Sequence, residues 1–351
     1  MFESEHIIRI GDTESPESQE VSISKLNVRR RCQYKYKYKY IDKIRPKKKA
    51  IQLRRGGWIH LLLEEKDSGR DWMEKLKSLK KDEFDKLFLE EQVEIGDLPK
   101  EVYRIMRAYH QTYLEVDKEW ETIICEQDFK IRLGNTKFVA VGKIDKIALH
   151  KKSGKIWLWE HKTMKKAPPS EAFRFTDTQT AFYMWVLTKI IKQMGYKPSD
   201  IGGIMFDYIR TKPPTQPRLL KAGTMSKARI DCDKWSYMAA LKKNHLNPED
   251  YAEFIGTLDS NILFTRIPMA KSAEMIKTTV RDFMNTCIQM QEQEESGTPL
   301  VRTIDWTCDM FKCEYLDLCK ADMEGLDTTV MIQMEFEPKE VDDVAKKDEE
   351  N

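Results

Sequence analysis

No apolar run in this chain approaches the roughly 18 residues that a membrane span requires. The first twenty residues, MFESEHIIRIGDTESPESQE, are acidic and polar, so they read as neither a secretory nor a transit leader and predict a disordered segment. No GxxxxGK[ST] phosphate loop occurs, so any motor activity has to come from a partner. No segment repeats. Net charge is almost absent, since 60 Lys+Arg against 58 Asp+Glu leave +2. Seven cysteines without a leader point to a reducing compartment, where thiols stay free or hold metal. With 351 residues the chain can bury a full core without disulfides, in one large or two small domains. Its 40% hydrophobic and 34% charged residues exclude collagen-like, mucin-like and wholly disordered classes.

The near-zero net charge hides an asymmetry. Residues 21–60 carry fourteen Lys/Arg and one acid, Asp42, whereas residues 335–351 carry eight acids and three lysines. A local basic stripe suits a polyanion partner, and it equally suits a solvated face with an acidic tail.

Ser22 or Ser24 can cap a helix starting near Lys25. The segment YKYKYKY (34–40) follows. Its period of two suggests a strand, while the preceding residues favour a helix over its first half; its second half stays open. A helix from about Leu53 contains Gly56, Gly57 and His60, and residues 64–124 form a charged helical insertion broken at Gly96–Pro99. The period then changes. Strands are predicted at 121–133, 137–149, 155–163 and 202–211, with a helix at about 176–194, a largely helical stretch at 230–295 and a compact cysteine-rich segment at 297–320. Strands among helices predict one α/β domain with helical insertions.

The segment GKIDKIALHKKSGKIWLWEHKT carries the chemistry. HKKSGK is a turn sequence in which Gly154 can take positive φ. A two- or four-residue loop centred between Lys152 and Ser153 pairs residues whose numbers total 305. Asp145 then faces Glu160 with Cβ atoms roughly 5 Å apart, and Lys162 shares that face. A loop of three or five residues shifts this register by one. Paired carboxylates repel unless a cation such as Mg²⁺ sits between them. The plain alternative is a solvated hairpin with a Glu–Lys ion pair, which the surrounding Ile144, Ile147, Trp157, Leu158 and Trp159 disfavour.

Asp145 followed by Glu160-x-Lys162 resembles the signature of PD-(D/E)XK nucleases. Gly56/Gly57 with His60 resembles the upstream motif of the RecB-like and AddB-like branch, and Gln179-x-x-x-Tyr183 resembles its QxxxY motif. The resemblance extends over roughly residues 22–320 and includes CRISPR-associated RecB-like exonucleases and phage relatives. It implies a small mixed sheet flanked by helices, and a nuclease domain over 21–323 between a disordered 1–20 and an acidic tail, 324–351. It implies Mg²⁺ or Mn²⁺ held by Asp145, Glu160, the backbone carbonyl of His161 and His60, with Glu126 able to support a second ion. Lys162 would orient water and stabilise the developing phosphorane charge, its pKa depressed by the nearby cation. Gln179 and Tyr183 would position the strand and the lysine. The His161 ring, on the other strand face, packs in the sheet.

Iron–sulfur members of that branch have one N-terminal cysteine and three close together near the C-terminus. Cys32 with Cys308-x4-Cys313-x5-Cys319 has this layout, although its first gap is four residues where two are expected. Four thiolates suit a [4Fe–4S] cluster and also Zn²⁺, and free thiols are the third possibility. Cys125, Cys232 and Cys287 read as ordinary buried thiols. Arg29, Arg30, Arg31, Arg54 and Arg55, laced with tyrosines, are the expected DNA surface, with Arg210 and Lys212 adding phosphate contacts. The resulting expectation is a DNA exonuclease on single strands or ends. It would act in recombination, repair or phage replication, in the cytoplasm of a bacterial, archaeal or phage-infected cell, with a helicase or recombinase partner and no membrane. An endonuclease, a CRISPR-adaptation nuclease and a catalytically silent scaffold are the alternatives.

Overall fold

The computed structural model of the chain describes residues 7–47, 51–166, 168–228, 231–258 and 263–338. Its strands are β1 (Ile8–Ile10), β2 (Gln19–Ser22), β3 (Ile44–Pro46), β4 (Trp120–Arg132), β5 (Phe138–His150), β6 (Lys155–Met164), β7 (Ile201–Arg210), β8 (Phe264–Met269) and β9 (Phe336–Pro338). Its helices are α1 (Ile23–Arg31), α2 (Gln33–Tyr36), α3 (Ile51–Asp67), α4 (Trp72–Leu79), α5 (Leu89–Ile95), α6 (Leu98–Tyr113) and α7 (Thr178–Gln193). They continue with α8 (Lys234–Lys243), α9 (Ala252–Gly256), α10 (Ala273–Ser296), α11 (Trp306–Met310), α12 (Leu316–Met323) and α13 (Thr329–Glu335).

Among the described residues, β1, β2 and β4–β8 form a seven-stranded sheet in the order β1-β4-β5-β6-β7-β8, with β2 pairing β5. The β4–β5, β5–β6 and β7–β8 pairs are antiparallel; β1–β4, β2–β5 and β6–β7 are parallel. This is the expected mixed α/β sheet. Helices α1, α7 and α10 cover one face, around Leu26, Phe182, Phe206 and Phe283. The insertion helices α4 and α6 pack with α3 on the other, around Trp58, Leu62, Tyr109 and Phe264. The β5–β6 turn spans Lys151–Gly154, with Gly154 at φ 66°. The paired rows run from His150↔Lys155 to Lys146↔Trp159, which is the predicted register.

Three expectations need correction. Residues 8–10 and 19–22 are strands, not disordered, because Ile8, Ile10 and Val21 alternate and pack into the core beside β4 and β5. β8 lies inside the stretch expected to be helical. The tail from 324 holds α13 and β9, which pairs β3; residues 339–351 lie outside the described residues, as do 1–6. YKYKYKY is helical over the first half, as expected, and the second half, which the sequence leaves open, continues as a π-helix over Lys37–Ile41. Spacing of four then sets Tyr34 edge-on to Tyr38 (5.9 Å) and Tyr36 tilted against Tyr40 (5.5 Å) on opposite sides of the segment.

Candidate active site

The site forms where the sheet splits. One edge of β5 is shared: residues 146–150 pair β6 and residues 138–141 pair β2. Residues Gly142–Asp145 pair neither. Beyond Trp159, β6 leaves β5 but stays paired with β7 as far as Met164↔Arg210. The alternation of β4 and β5 also breaks here. Ile124, Phe129, Ile144 and Ile147 all face one core, whereas Cys125 and Lys146 reach α3 on the other face. Glu126, between Cys125 and Gln127, sits at φ 52°, a left-handed conformation that an ordinary side chain adopts only under local constraint. Asp145 occupies the split, and its Oδ2 accepts the backbone N–H of His161 at 2.7 Å.

Asp145 and Glu160 are both buried, and Lys162 Nζ donates to Glu160 Oε1 at 2.5 Å. Burial, then the charges of Glu160 and Glu126, push the Asp145 carboxyl well above the usual carboxylate range; His161 and Lys162 only partly oppose them. Burial works against the Lys162 ammonium, but Glu160 and Asp177 outweigh it, so its pKa is raised. Glu126 is also raised by burial, against its ion pair with Lys143 at 2.7 Å. His60 reaches the site because α3 lies close on β6: a Cβ on Gly56 would come within 2.8 Å of Thr163 Oγ1. Burial, then the charges of His161 and Lys162, push His60 down to about 3, so its imidazole is neutral and able to bind a metal.

Behind this face the His161 ring bridges two carboxylates. Its Nδ1 lies 3.0 Å from Asp207 Oδ2 and its Nε2 3.0 Å from Asp67 Oδ2. Lys146 Nζ donates to Asp67 at 3.0 Å. Tyr109 donates to Asp207, and Arg266 ties Asp207 to Asp117. Burial alone lowers the pKa of His161, but these two carboxylates raise it to about 10, so the ring is an imidazolium. The sequence reading missed Asp67, Lys146, Asp207 and Arg266. The available signal was a charge inside an otherwise apolar strand, as in KIDKIAL and GGIMFDYIRT, which demands a buried partner.

On the other side α7 supplies Gln179, whose Nε2 donates to the Tyr183 hydroxyl at 3.3 Å. Gln179 also lines a groove of about 920 Å³ with Arg30, Arg31, Lys35, Lys39 and Arg174.

The family model of the PD-(D/E)XK nuclease superfamily matches residues 20–320. The chain belongs to that superfamily. Its members are nucleases that hydrolyse phosphodiester bonds and typically use Mg²⁺ or Mn²⁺. No curated protein matches the chain.

In this PD-(D/E)XK protein no three His, Cys, Asp or Glu side chains among the described residues are gathered as a bound metal would hold them. The donor set nevertheless fits a hard cation, since two buried carboxylates repel each other beside a neutral imidazole. The basic residues divide into several groups. Arg30 and Arg31 line the groove, but Arg29 is buried, bonded to Gln293 and laid over Tyr36, because α1 packs on α10. Arg55 bonds Glu101, and Asp231 pairs both Arg210 (3.0 Å) and Lys212 (2.9 Å). Arg54 is partly exposed. Tyr36 and Tyr38 are buried in cores, a correction to the tyrosine-laced surface expected above, whereas Tyr40, though mostly buried, lines the groove.

The cysteine-rich segment folds back onto α2. Cys32 caps α2, its Sγ accepting Lys35 N–H at 3.4 Å, and Lys35 Nζ pairs with Glu314 at 2.8 Å. Burial raises the thiols of Cys313 and Cys319; Cys308 adds to the first and Cys32 to the second. Cys319 packs in one cluster with Tyr38 and Tyr315, and Cys313 and Tyr34 lie against it. Burial also raises Cys125, Cys232 and Cys287 to about 12, as suits inert thiols.

Proposed function

We propose that the protein is a metal-dependent deoxyribonuclease, acting as an exonuclease on single strands or ends in recombination, repair or phage replication. The observation that carries this reading is the meeting of Asp145, Glu160 and Lys162 at the split between β5 and β6. Asp145, Glu160, the His161 carbonyl and His60 would hold Mg²⁺ or Mn²⁺, with Glu126 beside a second ion. Such an ion supplies an acidified water and neutralises charge on the phosphate. Lys162 holds a positive charge where the phosphorane forms, and Gln179 with Tyr183 orients the strand. The groove lined by Arg30, Arg31, Lys35 and Lys39 leads to Gln179 and suits a phosphate backbone without base readout. The intact Asp145, Glu160 and Lys162 weigh against a silent scaffold.

Cys32, Cys308, Cys313 and Cys319 match a [4Fe–4S] cluster in number, and Cys313 and Cys319 pack beside Tyr34 and Tyr38 of the α2 segment. The cluster would tie α2 to the segment that carries α11 and α12. A helicase or recombinase partner and a cytoplasmic setting complete the proposal; no helix among the described residues is long and apolar enough to cross a membrane. The test is cleavage of end-labelled single strands, duplex ends and closed circles with Mg²⁺ or Mn²⁺. Activity on linear strands but not circles is expected, and cutting of circles would make the protein an endonuclease. Iron analysis of protein purified without oxygen tests the cluster, and iron-free protein would exclude it.

A further inference from the structure

Lys162 has a tyrosine beside it on the next strand. In the parallel β6–β7 pair, Lys162 is registered with Tyr208, so both side chains leave the same face. The Tyr208 ring is stacked on Phe206 at 5.8 Å and tilted against Phe173 at 6.3 Å. Its hydroxyl is buried and has no hydrogen-bond partner among the described residues. Burial, more than any neighbouring charge, raises its pKa, and the charges that act on it are Arg174, Lys162, Asp177 and Glu160. A buried unpartnered hydroxyl is unfavourable in a folded protein, so a group that satisfies it on binding explains its presence.

Arg174 is the second unsatisfied group. It sits at φ 65° in the segment between β6 and α7, and Lys271 Nζ fixes that segment through the carbonyls of Arg174 and Phe175. One guanidinium nitrogen bonds Asp177 Oδ2 at 3.0 Å, while its buried Nε bonds nothing among the described residues. Arg174 also lines the basic groove. Tyr208 is about as buried as Glu160, 2% exposed against 3%, and its side chain leaves the same face as Lys162, so whatever admits substrate to Glu160 and Lys162 admits it to the hydroxyl.

We propose that Tyr208 and Arg174 form a phosphate subsite beside Lys162, the hydroxyl and the guanidinium donating to oxygens of one phosphodiester group of the substrate strand. The idea rests on the nuclease reading. It also explains why a tyrosine stands where the apolar pattern of β7 would accept phenylalanine.

The test is Tyr208→Phe, with Arg174→Gln as the companion variant. A hydroxyl without a protein partner contributes no stability, so Tyr208→Phe is expected to melt at or above the wild-type temperature. Its single-turnover cleavage should fall about tenfold or more, the effect of one lost hydrogen bond to a charged oxygen. Binding is measured by anisotropy in the Asp145→Asn background, with oligonucleotides carrying one neutral methylphosphonate at each linkage in turn. At one linkage the substitution should weaken binding when Tyr208 is present, and leave it unchanged once Tyr208→Phe is added. A lowered melting temperature, wild-type cleavage by Tyr208→Phe, or identical methylphosphonate profiles would each overturn the subsite. If wild-type protein cleaves nothing, the nuclease reading fails instead, and the methylphosphonate profiles still decide the subsite.

Discussion

The backbone N–H of His161 donates to Asp145 Oδ2 at 2.7 Å, across the point where β6 leaves β5. Asp145 therefore closes the split, and burial with the nearby Glu160 and Glu126 disfavours its charge. Asp145→Asn keeps a side-chain acceptor for that N–H and removes the repelled charge. Thermal denaturation should show stability equal to or above wild type, while cleavage with Mg²⁺ or Mn²⁺ disappears. A large loss of stability would mean that the carboxylate is not under electrostatic strain.

His161 holds α3 to the sheet through Asp67 and Asp207. His161→Ala leaves both carboxylates buried without their shared cation, although Lys146 and Arg266 still reach them. Urea denaturation should register a loss of about 2–4 kcal/mol. A loss near zero would show that the bridge is incidental to folding.

Asp117 gives the same network an acid limit. Burial pushes its carboxyl up, but Arg266 and Lys66 outweigh it and hold it below its ordinary value. A carboxyl that is depressed in the folded state binds protons more readily in the unfolded chain. Its stabilisation is therefore present above the unfolded pKa of about 3.9 and is lost as pH falls through the lower folded value. Asp117→Asn should be less stable than wild type at pH 7, by about 1–3 kcal/mol. Below about pH 5 its stability should fall less steeply with acidification than that of wild type. Parallel pH profiles of denaturation midpoint would contradict this.

The hairpin that carries the site was legible because two signals agreed, a period of two and a turn sequence with glycine at the position needing positive φ. The numbering that set Asp145 against Glu160 recurs in the rows Lys146↔Trp159 to His150↔Lys155. The bridge at His161 was not legible, since nothing local tells that the end of α3 meets β6 opposite Asp207 of β7. β8 was hidden because six residues between helical stretches carry too little periodicity. The tyrosines misled for a related reason. A period of two also places every fourth residue together, and in a helix those pairs face two cores instead of one solvent edge.

Gly142 lets the site close. A Cβ there would come within 2.7 Å of the Phe129 ring and 3.0 Å of the Tyr183 hydroxyl. Gly142→Ala should destabilise by about 1–3 kcal/mol and, by displacing Tyr183 and with it Gln179, reduce cleavage more than it reduces DNA binding. Denaturation and single-turnover assays on the same preparation check both, and unchanged cleavage would detach Tyr183 from the chemistry.

The most direct measurement is single-turnover cleavage of an end-labelled oligonucleotide by wild type and Lys162→Ala, with metal binding followed by calorimetry. Lys162 bonds Glu160 and carries the charge next to both carboxylates, but it is not a metal ligand. The variant should keep metal affinity within a few fold, by analogy with loss of one charge-stabilising group, and lose turnover on the order of 100-fold or more. Cleavage at the wild-type rate by Lys162→Ala would contradict the account, as would wild-type protein that binds metal and DNA yet cuts no strand.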